Sequence, residues 1–167
     1  MLAGVKIKQL KRLPDERGFF SEVMRKDWKD IFGEDTIAQS NFSYTYPNMI
    51  RAWHRHLRGQ NDYFLVIKGT VKICAFDDKS GELNEVISSG FELQIVRIPG
   101  HYWHGFKAVG DEPAMLVYFT TNLYDASNPD EERRLWNDPT LIPKSVNGKK
   151  EDTRVGKSWD WNYPPHK

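Results

Sequence analysis

The segment that decides the fold runs from Asp62 to Gly81 and reads DYFLVIKGTVKICAFDDKSG. It contains two apolar runs rich in β-branched and aromatic residues, Tyr63–Ile67 and Val71–Phe76. A Lys-Gly-Thr step separates the runs, and the polar stretch Asp77–Gly81 follows them. Short apolar runs bounded by Gly, Asp and Ser are typical of β-strands joined by tight turns. The segment therefore predicts two consecutive strands.

The same signal recurs on both sides of this segment. Further strands are predicted at Gly4–Leu10, Ile37–Tyr46, Leu93–Ile98 and Met115–Thr121. Many short strands at this spacing favour a sandwich or barrel. A helix is predicted over Arg25–Phe32, ended by Gly33, and a second short one from Asn128 to Arg133, where Pro129 suits a first helical position. We therefore expect an all-β fold with one or two short helices.

Length and charge restrict the class of protein. With 167 residues and 19.5 kDa, the chain suits one well-buried core, and we predict a single domain over residues 1–167. Residues 144–167 form a polar tail that ends in aromatic residues, which predicts that it docks on the barrel or on a partner subunit. A formal net charge of +1 gives no field for holding nucleic acid.

Cysteine and hydropathy content bear on the compartment. The single cysteine, Cys74, lies in an apolar strand run and leaves no disulfide possible within one chain. No apolar run approaches the ~18 residues that a membrane-spanning helix needs. The sequence therefore predicts a cytoplasmic protein without membrane contact.

Four of the five histidines fall between His54 and His104, in the stretches RAWHRH and IPGHYWHGF. Imidazole titrates near neutrality and is also the commonest metal ligand. Two histidine groups beside strand-and-turn signals predict one polar site assembled from both. Such a site either transfers protons or holds a metal.

Six sequence blocks, taken in order, resemble the dTDP-4-dehydrorhamnose 3,5-epimerase family. They are DERGFFSE from Asp15, QSN from Gln39, IRAWH from Ile50, IPGHYWHGF from Ile98, VYFTTNLY from Val117 and WNDP from Trp136. The resemblance implies a cupin fold, a double-stranded β-helix or jelly-roll barrel, in a metal-free homodimer. It also implies epimerisation at C3, C5 or both of a nucleotide-linked 4-keto-6-deoxy sugar, dTDP-linked in this family, for deoxysugar or cell-surface polysaccharide synthesis.

The resemblance also assigns roles to single residues. It makes His54 the base that removes the proton beside the ketone, and Tyr118 the acid that returns a proton from the opposite face. Epimerisation needs both groups, because the anion forms only by delocalisation onto the ketone oxygen. The remaining family positions imply contacts with the substrate. They are Arg17 for the nucleotide, Arg51 for the diphosphate, Tyr124 beside the sugar, and Gln39, Asn41 and His104 in the pocket.

Two departures from the family pattern leave alternatives open. Asp62 stands where the family carries a lysine that supports the enolate. The family's C-terminal aspartate, which orients the base, has no clear counterpart, and Asp152 and Asp160 are substitutes on sequence distance alone. A carboxylate supports a developing oxyanion only when it is protonated or holds a cation. His54, His56, Asp62 and His104 could instead bind a divalent transition metal, as in a cupin isomerase or dioxygenase. A non-catalytic sugar-nucleotide-binding protein is the third hypothesis.

Overall fold

A computed structural model describes residues 1–163, and strands dominate its secondary structure. The strands are β1 Lys6–Gln9, β2 Leu13–Asp15, β3 Gly18–Phe20, β4 Gln39–Thr45, β5 Ile50–Arg55, β6 Asn61–Lys68, β7 Thr70–Phe76, β8 Glu82–Ser89, β9 Gln94–Pro99, β10 Trp103–Val109, β11 Ala114–Thr120, β12 Glu132–Arg133 and β13 Ser145–Val146. The helix α1 spans Lys29–Phe32. None of the helices among these residues has the length and apolar character to cross a membrane.

Two sheets form the body of the fold. One has the strand order β1-β9-β6-β11-β4 and the other β12-β5-β10-β7-β8-β13, while β2 and β3 form a separate hairpin. Apart from the parallel pair of β8 and β13, neighbouring strands run antiparallel. The predicted all-β jelly-roll class is confirmed. Alternation along β4 and β11 turns every second side chain toward the space between the sheets.

The segment quoted first behaves as its pattern predicts. β6 and β7 are buried along most of their lengths, and Phe64, Val66, Val71 and Ile73 belong to the core cluster between the sheets. Gly69 between the two strands has φ +73°, a left-handed backbone conformation that favours glycine. An added Cβ there would lie 2.7 Å from the carbonyl oxygen of Pro113. This turn is therefore limited both by its backbone angle and by close packing.

The helix predictions were only partly right. α1 covers the last four residues of the predicted Arg25–Phe32 helix, and Gly33 follows it. The predicted second helix from Asn128 is wrong, because Glu132 and Arg133 form strand β12 against β5. Pairing with an otherwise free sheet edge outweighs the local helix signal there, and the Arg55 Nε to Glu132 Oε2 ion pair of 2.5 Å strengthens it.

The described part of the C-terminal tail packs on the six-stranded sheet. β13 pairs with β8, and Trp159 and Trp161 are 5% and 1% exposed within an apolar cluster. Trp161 packs against Trp53 of β5 with ring centroids 4.7 Å apart. The last residues of the predicted tail, 164–167, lie outside the described residues. The single-domain organisation and a tail contact with a partner subunit stay predictions.

Candidate active site

A cleft of about 790 Å³ opens between the two sheets. Its size falls in the range of small-molecule sites. β5 supplies Arg51 and His54 on one side, and β11 supplies Tyr118 on the other. Gln39 and Asn41 of β4 lie beside Tyr118, since Asn41 is its direct partner across the strand pair. The two side chains that the resemblance names as base and acid therefore face one cleft from opposite sheets.

A β-bulge places Arg51 and His54 on the same face of β5. His54 pairs with His104 and Arg51 pairs with Phe106, so three steps along β5 match two steps along β10. Without the extra residue, positions three apart on a strand point to opposite faces. Gly105 lies opposite the bulge, and a Cβ there would lie 2.6 Å from the carbonyl oxygen of Arg51. The RAWH motif therefore contains the bulge, and the glycine of the HGF motif provides the space that the bulge needs.

His54 lies half-buried at the floor of the cleft. Within residues 1–163 its ring has no hydrogen-bond partner, and the His104 ring packs edge-on against it with centroids 4.2 Å apart. Burial, followed by the neighbouring His104, lowers the pKa of His54 well below its ordinary value. His54 is therefore neutral near neutral pH, which is the form that accepts a proton.

Behind His54, three buried side chains converge. Asp62 Oδ2 lies 2.9 Å from His104 Nε2 and 3.4 Å from His56 Nε2. Burial opposes ionisation of Asp62, but hydrogen bonds with His104 and His56 hold its pKa below its ordinary range. Burial would lower the pKa of His56, yet the bond to Asp62 and its charge reverse the effect and raise it. Asp62 is therefore a carboxylate surrounded by imidazoles.

Two backbone carbonyls fix the orientation of these imidazoles. His104 Nδ1 donates to Tyr102 O at 2.8 Å, and His56 Nδ1 donates to Asp130 O at 2.8 Å. A carbonyl oxygen only accepts, so each Nδ1 carries its hydrogen and each Nε2 points inward. Gln60 Nε2 donates to Asp62 Oδ1 at 2.8 Å and lies 3.1 Å from His56 Nε2. A neutral His56 accepts from Gln60 at Nε2, whereas the contacts of His56 Nε2 and His104 Nε2 with the Asp62 carboxylate each require a proton or a cation between the two atoms.

The same donor set fits a divalent transition metal. One ligand atom from each of His54, His56, Asp62 and His104 lies within 4.8 Å of all the others. Histidine ligands of metals commonly donate their other ring nitrogen to a backbone carbonyl, as His56 and His104 do. The residues therefore fit both a hydrogen-bonded cluster that contains a proton and a metal centre.

Tyr118 is half-buried and packs on the ring of Phe64, with centroids 5.9 Å apart. Burial, followed by the negative charge of Asp62, raises the pKa of Tyr118 above its ordinary value. The hydroxyl therefore keeps its proton at neutral pH and is available as a donor. Near the mouth, the Tyr124 backbone N–H donates to Gln39 Oε1 at 2.9 Å.

Other predicted residues lie away from the cleft surface. Arg17 sits on the β2–β3 turn with an 84% exposed side chain paired to Asp15, and it does not line the cleft. His104 lies one layer deeper than a lining residue, fully buried behind His54. Asp152 accepts from Arg154 and Asp160 accepts from Asn162, and within residues 1–163 neither carboxylate forms a hydrogen bond with His54. Asp62 instead places a carboxylate oxygen within 4.8 Å of a His54 ring nitrogen.

Sequence reasoning missed several polar residues of the site, four of which bear on its chemistry. They are Gln60, Asp130, Glu131 and Arg133. Asp130, Glu131 and Arg133 fall in the segment 128–133, which was interpreted as a helix. Its run of adjacent charged residues does not resemble a strand. The available signal was alternation, since Glu131 and Arg133 flank a residue that faces the other way.

Comparison with known proteins identifies relatives of this chain. Residues 13–132 match the model of the polysaccharide biosynthesis C-terminal domain family. A probable low-salt glycan biosynthesis epimerase of Haloferax volcanii is 45% identical over 134 residues, covering 77% of this chain and 85% of that protein. A spore coat polysaccharide biosynthesis protein of Bacillus subtilis is 32% identical over 146 residues, covering 84% of this chain and 94% of that protein.

The fold also matches a solved epimerase. A dTDP-6-deoxy-D-glucose-3,5-epimerase from Legionella pneumophila, crystallised with dTDP-4-keto-L-rhamnose, superimposes with a TM-score of 0.74 and 26% identity. The match covers 89% of this chain and 86% of that one. The predicted relationship to the dTDP-4-dehydrorhamnose 3,5-epimerases is confirmed, and the chain belongs to the polysaccharide biosynthesis C-terminal domain family.

Proposed function

We propose that the protein epimerises a nucleotide-linked 4-keto-6-deoxy sugar, dTDP-linked as in the Legionella complex, at C3, C5 or both. The observation that carries this proposal is the placement of His54 and Tyr118 on opposite sheets of one cleft. Inversion of a carbon needs a base on one face and an acid on the other. The names of the relatives support a role in glycan or polysaccharide synthesis.

The reaction follows from the states of the two groups. Neutral His54 takes the proton from the carbon beside the ketone, and the C–H electron pair delocalises onto the ketone oxygen as an enolate. The Tyr118 hydroxyl then gives its proton to the opposite face of that carbon, and the enolate collapses to the inverted ketone. Asp62 is a carboxylate where the family has a lysine, so it does not stabilise the enolate directly. Instead, Asp62 contacts His56 and His104 and fixes the positions of these two rings behind His54.

Solvent exchange tests the proposal. We expect the protein, incubated with dTDP-4-keto-6-deoxyglucose in deuterated water, to incorporate deuterium at C3 or C5. NMR and mass spectrometry of the sugar measure it. If neither this sugar nor its UDP analogue exchanges while the nucleotide still binds, the chain is a binding protein rather than an enzyme.

A metal-dependent reaction is the second candidate, favoured by the inward Nε2 atoms of His56 and His104 around Asp62. A divalent ion bound there would supply a Lewis acid for a carbonyl oxygen. A hydrogen between His104 Nε2 and Asp62 makes the same contact without a metal. We therefore expect the rate of deuterium exchange to stay unchanged when chelation lowers the metal content to less than about one ion per ten chains. Elemental analysis before and after chelation is the measurement. Loss of exchange that one added metal restores would favour the second candidate.

We further propose a homodimer that contacts its partner through β4. β4 is an edge strand with no charged residue, and its outward Phe42 and Tyr44 are 61% and 43% exposed. The opposite edge, β1, carries lysines, which are typical of edges protected from pairing. We expect a dimer by light scattering and a monomer after Phe42→Lys. The matched control is Phe91→Lys, at an 81% exposed turn position, and a monomeric starting protein would contradict the proposal.

The cytoplasm is the compartment that we propose for this reaction. The support is the single, fully buried Cys74, which suits a reducing environment. Cell fractionation with an antibody against the chain would test it, and recovery outside the cytoplasmic fraction would contradict it.

A further inference from the structure

Arg133 stands directly beside the proposed base. In the pairing of β12 with β5, Arg133 is the partner of His54, and directly opposed residues of an antiparallel pair project to the same face. Both side chains line the cleft, as does Arg51 on the other side of the bulge. Two guanidinium groups therefore flank His54 along the cleft edge formed by β5 and β12.

The other arginines of the cleft are held by the protein itself. Arg58 pairs with Asp130 at 3.2 Å and donates to the carbonyl of Asn128. Arg134 makes two bonds to Asp78, at 3.0 and 2.7 Å, and packs 4.1 Å from the Trp103 ring. Both guanidiniums have satisfied donors, so moving either to a ligand would break an ion pair within the protein.

Within residues 1–163, Arg51 and Arg133 each have a single hydrogen-bonding partner for the side chain. The one side-chain bond of Arg51 within residues 1–163 is from Nε to Thr45 Oγ1 at 3.3 Å. The Arg133 side chain is 76% exposed and donates two hydrogen bonds, at 2.9 and 2.5 Å, to Glu131 Oε2, whose side chain is 20% exposed. Because the Arg133 end of this pair is open to solvent, the pair contributes little, and Arg133 can turn from Glu131 to a more highly charged anion at small cost.

We propose that Arg133 is a second diphosphate-binding residue, which acts with Arg51 on the nucleotide sugar. This inference rests on the proposed function. A diphosphate presents two phosphoryl groups, and a guanidinium fork matches the oxygens of each. The diphosphate then lies over the edge of β5 and β12, the sugar points inward to His54 and Tyr118, and the nucleoside lies at the mouth.

Binding of nucleoside diphosphates tests the inference without turnover. With Arg133→Gln, we expect dTDP and UDP to bind about tenfold more weakly by calorimetry, since charge-assisted hydrogen bonds contribute roughly this much. Binding of thymidine, which has no phosphate, is expected to be unchanged. The matched control is Arg55→Gln, which removes the same charge from the opposite face of the same strand pair, where Arg55 binds Glu132.

Three outcomes would overturn the inference. They are wild-type affinity of Arg133→Gln for both diphosphates, an equal loss in Arg55→Gln, and failure of the wild-type protein to bind either diphosphate. Failure of the proposed function has a different result. If Arg133→Gln weakened diphosphate binding tenfold but the wild-type protein showed no solvent exchange, the diphosphate site would be supported and the epimerase activity would be excluded.

Discussion

Replacing His54 with Asn is expected to lower solvent exchange at the substrate carbon by about 10³-fold, within the range that general bases contribute. Asn is similar in size and polarity but does not accept a proton at neutral pH. Because His54 has no hydrogen-bond partner within residues 1–163, removing its ring leaves no protein donor or acceptor unsatisfied. We therefore expect the unfolding midpoint to change little while exchange, followed by NMR in deuterated water, is lost.

The control for this variant is His101→Asn, since His101 is exposed and does not line the cleft. It is expected to exchange at the wild-type rate. Metal content of both variants must also be measured, because His54 belongs to the possible ligand set. Exchange at the wild-type rate by a folded His54→Asn protein would exclude His54 as the base.

Tyr118→Phe separates the second step of the reaction from the first. The phenol of Tyr118 returns the proton after the enolate has formed. Losing it is therefore expected to slow formation of the inverted sugar, while His54 still exchanges the proton of the substrate with solvent. Phe keeps the packing on Phe64. Comparing the two rates in one NMR experiment gives the answer. An equal fall in both would count against Tyr118 as the acid.

The sequence predicts the strands well where one physical factor dominates. In β6 and β7 the apolar runs are long, their ends carry turn residues, and the structure buries them as expected. The segment before Arg134 was interpreted wrongly, because a charged segment becomes a strand only when β5 offers a free edge. That edge is a property of the tertiary fold, so no local pattern reveals it.

The candidate site shows a similar division. The clustering of His54 and His104 was visible in the sequence, and the structure brings the two rings into contact. The shared face of Arg51 and His54 was available only from resemblance, since strand periodicity alone puts residues three apart on opposite faces. The role of Asp62 as the central acceptor was not visible in the sequence either, because His104 reaches it from β10, 42 residues away along the chain, while His56 and Gln60 come from the segment just before it.

The bulge that corrects the periodicity depends on Gly105, and Gly105→Ala is expected to disrupt both stability and catalysis. The added methyl would overlap the Cβ of Ala52 and lie 2.6 Å from the carbonyl oxygen of Arg51. Overpacking of this kind costs about 1–3 kcal/mol of unfolding free energy. The strand that must move carries His54, and a misplacement of roughly 1 Å can lower a rate about 10²-fold.

Two comparisons separate this explanation from a general effect of alanine. Gly110→Ala, just beyond the end of β10, introduces strain at φ +90° but meets no atom within 4 Å. It is expected to lower thermal stability while the exchange rate stays at the wild-type level. The double variant Gly105→Ala with Ala52→Gly removes the overlap of the two Cβ atoms but not the contact with the Arg51 carbonyl, so partial recovery is expected.

These variants test whether the proposed epimerase activity depends on the bulge, which places Arg51 and His54 on the same face of β5. A methyl at Gly105 acts on Arg51 and His54 together, so the affinity for dTDP and the rate of exchange should fall together and recover together in the double variant. Calorimetry and NMR exchange measure the two quantities on the same protein. If Gly105→Ala lowered stability while affinity and exchange both stayed at wild-type values, the bulge would be a packing feature alone. The Arg-x-x-His spacing would then need another explanation.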